Sequence, residues 1–294
     1  MTSNLDKADA ALRSYLFVPA TSERKLDKAF ASAADAVIVD LEDAVAVSEK
    51  PQARQTIAAR LQAPAARPAF VRVNALSTPF GFDDIEAVVS PNLVGIILPK
   101  AESARDIEIA DWTLTQIERR RGVPEGATRI VPIIETARGL DQATAIAAAS
   151  PRLASIAFGF VDLASDMGLD LGDDDGAIQH ARFVVATASR AAGLPGPVDT
   201  AFIDIKDLDR LRRSTEQARR MGYSGKCCIH PAQIDVVNAV FSPGPEEVAR
   251  ARRIVEAFEQ AEAGGVAALM VDGVMIDYPV VARAQRVLVQ AGLR

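Results

Sequence analysis

Ionisable residues gather where the apolar runs of this chain end. In IVDLEDAV, a buried-type run gives way to Asp40, Glu42 and Asp43. Further on, VRVNA supplies Arg72 and Asn74, ILPKAES supplies Lys100, PIIETARG supplies Glu135, FGFVDLASD supplies Asp162 and CCIHPAQ supplies His230. Ionised carboxylates are costly to bring together out of water unless a cation holds them. Carboxylates outnumber bases in this set, which fits a hard divalent cation with oxygen ligands. Mg2+ answers that description, because it takes one or two protein carboxylates, several waters and a substrate oxygen. Glu135 and Asp162 are the candidates for direct ligation. Asp40, Glu42 and Asp43 are candidates for orienting waters or neighbouring bases around the ion. With 2 histidines and 2 cysteines in the whole chain, zinc is disfavoured.

Groups so scattered can share a site only if strand ends bring them together. Apolar runs at 15–18, 36–40, 69–74, 94–98, 129–135, 155–159, 198–201 and 226–230 read as strands. Between them, 23–33, 51–61, 83–88, 103–121, 140–148, 176–192, 207–221 and 232–240 read as helices. This alternation predicts an α/β fold, a (β/α)8 TIM barrel, with its site at the C-terminal ends of the strands. The doubly wound alternative normally opens on a glycine-rich phosphate loop, and the first turn here, FVPATSERK, has none. We expect a barrel domain over 1–240 and a C-terminal arm over 241–294. The arm reads as a helix from 246 to 263 after SPGPEE, a hairpin turning at Asp272–Gly273, and a final helix. Two strands alone are marginal in water, so the hairpin is expected to lean on the barrel or on another subunit.

Composition excludes some partners. Hydrophobic residues at 49% and charged residues at 24% describe a chain that folds around a core. A net charge of −6, with no basic run interleaved with aromatics, speaks against nucleic acid. No apolar stretch reaches spanning length and the N-terminal segment has no basic-then-apolar leader, so a cytoplasmic protein without a membrane is expected. Cys227 and Cys228 are neighbours that would point to opposite faces of a strand, which makes a disulfide between them strained.

RSYLFVPATSERKLDKA, DAVIVDLEDAV followed by KPQAR, VRVNA, ILPKAES, PIIETARGL, FGFVDLASDMG and GYSGKCCIHPAQI occur in this order between residues 13 and 279. In that series the chain resembles the citrate lyase β-subunit-like family, which groups with the malyl-CoA lyases and, more distantly, the HpcH/HpaI-type aldolases. The resemblance implies a Mg2+-dependent carbon–carbon lyase that cleaves a 3-hydroxyacyl-CoA, citryl-CoA-like, to acetyl-CoA and a 2-oxo acid. It makes Glu135 and Asp162 the metal ligands and Arg72 and Asp277 catalytic; Glu42, from the DLED cluster, completes the candidate catalytic set. Asp277 matches an aspartate that in related enzymes reaches into a neighbouring subunit's site, which implies a homo-oligomer, typically a trimer. The acyl-CoA segment maps to Phe17, Pro19, Arg24, Lys25 and Lys28, with Asn74 added as a substrate-side group. Lyase α and acyl-carrier subunits are implied as further partners. The rival readings are a malyl-CoA or citramalyl-CoA lyase, a CoA-independent pyruvate-type aldolase, and a non-catalytic subunit that binds a CoA thioester or carrier protein.

Each candidate also has a plainer reading. Glu135 and Asp162 could cap helices, and Arg72 could merely neutralise the DLED carboxylates. His230, before a proline at a strand end, reads as a hydrogen-bonded structural residue. Lys100 and Lys226 are expected to pair with rim carboxylates, because a Schiff-base lysine needs an apolar pocket to lose its proton. Asp272 reads as a turn residue. Asp173, Asp174 and Asp175 lack the spacing of a calcium loop and read as a solvated helix start.

Overall fold

The computed structural model describes residues 12–169 and 176–293. Asp173, Asp174 and Asp175 lie outside them. Each strand but one is followed by its expected helix in the order β1 Ser14–Pro19, α1 Glu23–Phe30, β2 Ala36–Asp40, α2 Lys50–Arg60, β3 Ala69–Arg72, α3 Gly81–Val88, β4 Gly95–Leu98 and α4 Ala104–Arg121. The chain continues with β5 Arg129–Ile134, α5 Ala137–Asp141, α6 Ala143–Ala147, β6 Ala157–Phe158, α7 Phe160–Met167 and α8 Gly176–Ala191. It goes on through β7 Val198–Asp199, α9 Leu208–Arg220, β8 Gly225–Cys228, α10 Ile234–Phe241, α11 Pro245–Ala263, β9 Leu269–Val271, β10 Val274–Ile276 and α12 Tyr278–Gln290. Strands β1 to β8 are parallel and close on themselves, β8 pairing back to β1. The expected (β/α)8 barrel is present. Helix α7, directly after β6, is the exception that the sequence pattern did not announce.

Successive side chains on a strand alternate between faces, so half of each strand fills the barrel. Tyr15, Ala36, Ile38, Phe70, Ile97, Val131, Ile133, Ala157, Val198 and Cys227 form that buried interior, with Phe17 packed against it. Burying each Val, Ile or Phe side chain of this set stabilises by about 1.5–3 kcal/mol relative to exposure. The outward set, including Val37, Val39, Val71, Ile96 and Ile134, is equally buried, which is why the strands read as continuous apolar runs rather than alternating ones. Cys227 and Cys228 are free and face opposite ways, as adjacent strand residues must.

Helix starts are set by short polar side chains. Ser22 caps α1, Ser103 and Asp106 form a reciprocal capping box on α4, and Thr136 caps α5. No helix among the described residues is long and apolar enough to cross a membrane.

The chain divides into two compact units between Asn238 and Ala239. In the second unit, α11 and α12 pack together over Ala251, Ile254, Val255, Phe258, Val281, Ala284 and Leu288. The hairpin turns at Asp272 and Gly273, both at positive φ (50° and 76°), the pair of conformations that a type I′ turn demands. Its Ile276 is buried in this cluster, and Leu269 and Val271 pack against it. The support that the hairpin needs therefore comes in part from its own two helices, an option beyond the two that the sequence suggested.

Candidate active site

The inward alternation that builds the barrel interior continues to its C-terminal rim. Asp40 follows Ile38 by two positions, Arg72 follows Phe70, and Glu135 follows Ile133. In the parallel register Asp40 lies opposite Arg72 across β2 and β3. The Arg72 guanidinium donates Nε–H to Asp40 Oδ1 and Nη2–H to Asp40 Oδ2, both at 2.7 Å, a two-pronged pair. Its third nitrogen, Nη1, lies 3.3 Å from Asp43 Oδ2. The guanidinium also lies over the Phe17 ring, 5.0 Å from its centroid. Phe17, expected to meet CoA, is thereby placed where it braces Arg72.

Glu42 is held by its backbone as well as its side chain. Asp40 accepts the N–H of Glu42 and of Ala44, while the buried Lys50 ammonium donates to the carbonyls of Leu41 and Glu42 at 2.8 and 2.7 Å. Lys50 lies in KPQAR, and nothing in that segment marks it as a prop for the DLED turn. Glu42 Oε1 accepts from Lys100 Nζ at 2.8 Å. Glu42 Oε2 lies 3.0 Å from Arg72 Nη1, yet the pair lacks hydrogen-bond geometry and this buried oxygen has no hydrogen-bond partner.

Glu135 follows β5 directly and is buried. It does not cap α5, because Thr136 Oγ1 takes the Gly139 N–H at 3.0 Å instead. Glu135 Oε1 accepts the Lys100 backbone N–H at 2.8 Å. Gly159, just past β6, packs against Glu135: a Cβ there would come within 2.6 Å of Glu135 Oε2. Asp162 does not extend from a strand end as expected. It sits in the first turn of α7, where a carboxylate faces the positive end of the helix dipole. There it comes within 3.9 Å of the Lys100 ammonium. Helix α7 is tied to the start of α5 by Asp166, which accepts the Ala137 N–H at 2.8 Å.

Lys100 therefore touches Glu42, Glu135 and Asp162, and with Arg72 it supplies the positive charge on this rim. The electrostatics follow. Burial presses the Asp40 carboxyl upward, but the Arg72 hydrogen bonds and charge outweigh it and hold Asp40 below the usual carboxylate range. Burial presses Arg72 downward, and Asp40, Glu42 and Asp43 reverse that and raise it. Burial raises Glu42 despite Arg72 and Lys100. Glu135 is pushed up to about 8, first by burial, then by the like charges of Asp162 and Glu42. A carboxyl whose ionisation is opposed by two other carboxylates is a place where added positive charge is stabilised.

The donors suit a hard ion. Among the described residues no group of three or more His, Cys, Asp or Glu side chains is arranged to enclose a metal. Two carboxylates, one buried and one 39% exposed, match an ion that keeps waters and takes a substrate oxygen, rather than one needing a full protein cage.

The other predicted residues fall elsewhere. The Asn74 amide is buried and donates to the Leu41 carbonyl at 2.9 Å and to Asp84 at 2.6 Å, so those N–H groups brace the fold. Pro19 is half-buried at the end of β1, and Arg24, Lys25 and Lys28 stand exposed on α1 just beyond it. Asp277 lies in the second unit, where its carboxylate caps α12 by accepting the Val280 N–H at 3.3 Å. His230 is a cap as well: Nδ1 accepts the Ala232 N–H at 3.2 Å, and Gln233 reciprocates. Lys226 departs from expectation. It is buried away from the rim against Asp199, which also takes two 2.9 Å bonds from Arg182.

A family model described as HpcH/HpaI aldolase/citrate lyase matches residues 13–231. A second, described as a C-C bond lyase of the TIM-barrel fold, matches residues 179–293. The citrate lyase subunit beta of Leuconostoc mesenteroides subsp. cremoris is 36% identical over 278 residues, covering 94% of this chain and 92% of that protein. A (3S)-malyl-CoA thioesterase of Cereibacter sphaeroides is 38% identical over 281 residues, covering 95% and 94%. The structure of the protein CitE from Mycobacterium tuberculosis in complex with magnesium, acetoacetate and coenzyme A superposes with a TM-score of 0.80 at 33% identity, covering 97% of this chain and 99% of that one.

Proposed function

Since the chain belongs to the HpcH/HpaI aldolase/citrate lyase family, we propose that it is a Mg2+-dependent carbon–carbon lyase that cleaves a citryl-CoA-like 3-hydroxyacyl-CoA to acetyl-CoA and oxaloacetate. The observation that carries this reading is that the buried Glu135 feels the like charge of Asp162, with Lys100 bonded to Glu135 through its backbone N–H at 2.8 Å and its ammonium 3.9 Å from Asp162. Glu135 and Asp162 would hold the ion. Bound Mg2+ supplies Lewis-acid polarisation of the substrate hydroxyl and orientation of the adjacent carboxylate.

The chain's own residues do the rest. Arg72, fixed by Asp40 on one edge and Phe17 on one face, would turn Nη1, whose 3.3 Å bond to Asp43 is its longest, to oxygen charge that builds as the bond breaks. Glu42 offers beside it a carboxylate oxygen that is ion-paired with Arg72 but makes no hydrogen bond, a group able to hold or relay a proton at that point. Asp277 from a second copy of the chain is assigned the proton exchanged with the acetyl methyl, which makes the working enzyme a homo-oligomer. Pro19, Arg24, Lys25 and Lys28 are assigned to the CoA end, where exposed cations meet phosphates.

The test is turnover of citryl-CoA by the purified chain with Mg2+, following acetyl-CoA and oxaloacetate together. Absence of acetyl-CoA from citryl-CoA, malyl-CoA and citramalyl-CoA alike would overturn the proposal. The 38% identity to a (3S)-malyl-CoA thioesterase favours a second reading, malyl-CoA as substrate with thioester hydrolysis. Release of free CoA rather than acetyl-CoA identifies that reaction.

A further inference from the structure

Lys100 carries a feature that the proposed reaction does not use. Its backbone is left-handed, with φ of 50°. Outside glycine, the other described residue at positive φ is Asp272 in the hairpin turn, and aspartate tolerates that conformation far better than a long aliphatic side chain does. A strained backbone persists only where its surroundings compensate for it. Here the compensation is visible, because one residue delivers an N–H to Glu135 at 2.8 Å and an ammonium to Glu42 at 2.8 Å and toward Asp162 at 3.9 Å. The alternation of β4 would turn it away, since Ile97 faces the barrel interior and a residue three positions on would face outward. The left-handed turn brings Lys100 back over the rim.

The two ion pairs differ. Glu42 is 8% exposed at its side chain and bonded at 2.8 Å, whereas Asp162 is 39% exposed and lies at 3.9 Å. The ammonium is firmly held on one side and loosely on the other, and its side chain is 38% exposed, which leaves it room to move.

We propose that Lys100 is the internal counter-ion of the metal site: it holds the rim carboxylates together before metal arrives, is exchanged at Asp162 when a divalent cation binds, and so weakens the affinity for that cation. This rests on the reading of Glu135 and Asp162 as metal ligands. A positive charge 3.9 Å from Asp162 and felt by Glu135 opposes a second positive charge there. A lysine that only braced the rim would have the opposite effect on loss, since its removal would let the ligands drift.

Titration calorimetry of MgCl2 against the full-length protein reads the sign. Lys100→Met should bind Mg2+ about ten-fold more tightly than wild type, because a like charge close to the ion is removed. Lys100→Arg, which keeps the charge, should stay within about three-fold. Lys100→Gly should also tighten binding, because it removes the same charge while glycine takes the positive φ without strain. It carries the test should the methionine variant not fold. Weaker or unchanged binding by the folded Met or Gly variant, with Mg2+ bound by wild type, overturns this inference alone. No binding by wild type overturns it together with the metal reading.

Discussion

Gly159→Ala tests how closely fold and site are joined. A Cβ at Gly159 would lie 2.6 Å from Glu135 Oε2, 2.7 Å from Glu135 Cβ and 3.0 Å from Ile133 Cγ2. The backbone at this position, φ −116° and ψ 91°, suits alanine, so the whole effect is steric. Glu135 and Ile133 are both buried, and neither can swing into solvent. Either Glu135 gives up its bond from the Lys100 N–H, or β6 moves away from β5. Overpacking costs about 1–3 kcal/mol, and losing a hydrogen bond to a charged group about 1.5–3 kcal/mol more if that is the route taken. We therefore expect a stability loss in urea unfolding of about 1–3 kcal/mol if β6 moves and about 2.5–6 kcal/mol if the bond to Glu135 is lost as well. Mg2+ affinity should fall at least about ten-fold, since 1.4 kcal/mol of misplacement suffices for that. Gly95→Ala separates site from scaffold: its Cβ would lie 2.6 Å from the Arg129 carbonyl, at the N-terminal end of β4 and β5. It should lose comparable stability and keep its Mg2+ affinity. Equal Mg2+ affinities for the two variants, or a Gly159→Ala protein as stable as wild type, would refute the reasoning.

Arg72→Met leaves the buried Asp40 carboxylate unpaired, which should cost about 3–5 kcal/mol in unfolding free energy and on the order of 10²-fold in turnover; Arg72→Lys should fall between, and a Met variant with normal turnover would remove Arg72 from the chemistry. Stability of the metal-free protein should fall with rising pH. Glu135 titrates near 4.5 when unfolded and is raised to about 8 when folded, so its contribution is whole below about pH 4.5 and is lost as pH climbs through about 8, at up to about 1.4 kcal/mol per unit. Asp40 is lowered and has the opposite sign, but its window lies below its ordinary value of 3.8. Urea midpoints that stay level or rise between about pH 5 and pH 9 would contradict the assignment.

The barrel was legible because each strand is a separate apolar run and each connection carries a helix period. The site was less so, for local reasons. FVDLASDM begins immediately after β6 with Gly159 as its cap and no capping side chain, so no start signal separated α7 from the strand, and Asp162 was expected one element too early. Lys226 was read as a rim residue from a strand drawn to His230. β8 ends at Cys228, which places Lys226 near its beginning, and with Cys227 facing inward the lysine faces out, onto Asp199. Asn74 follows an apolar–polar alternation that β3 does not keep, because Asp84 captures both its backbone and side-chain N–H groups. Gly159 and Lys50 had no signal at all: a glycine between two phenylalanines and a lysine before a proline have many uses.

One register accounts for both core and site. Phe17, Asp40, Arg72 and Glu135 each stand two positions beyond an interior residue, Tyr15, Ile38, Phe70 and Ile133, and a strand repeats every two. A one-residue slip of β3 against β2 would carry Phe70 out of the barrel and Arg72 away from Asp40 in the same motion. Apolar burial alone penalises that slip weakly here, because Val71 on the other face is also buried and an apolar residue would replace Phe70 inside. The ion pair penalises it strongly, since each partner displaced would be a charge out of water without its counter-charge. In strands apolar on both faces, the charged residues at the rim are thus what makes the alignment unique, and the groups assigned to chemistry are also those that hold β2 and β3 in step.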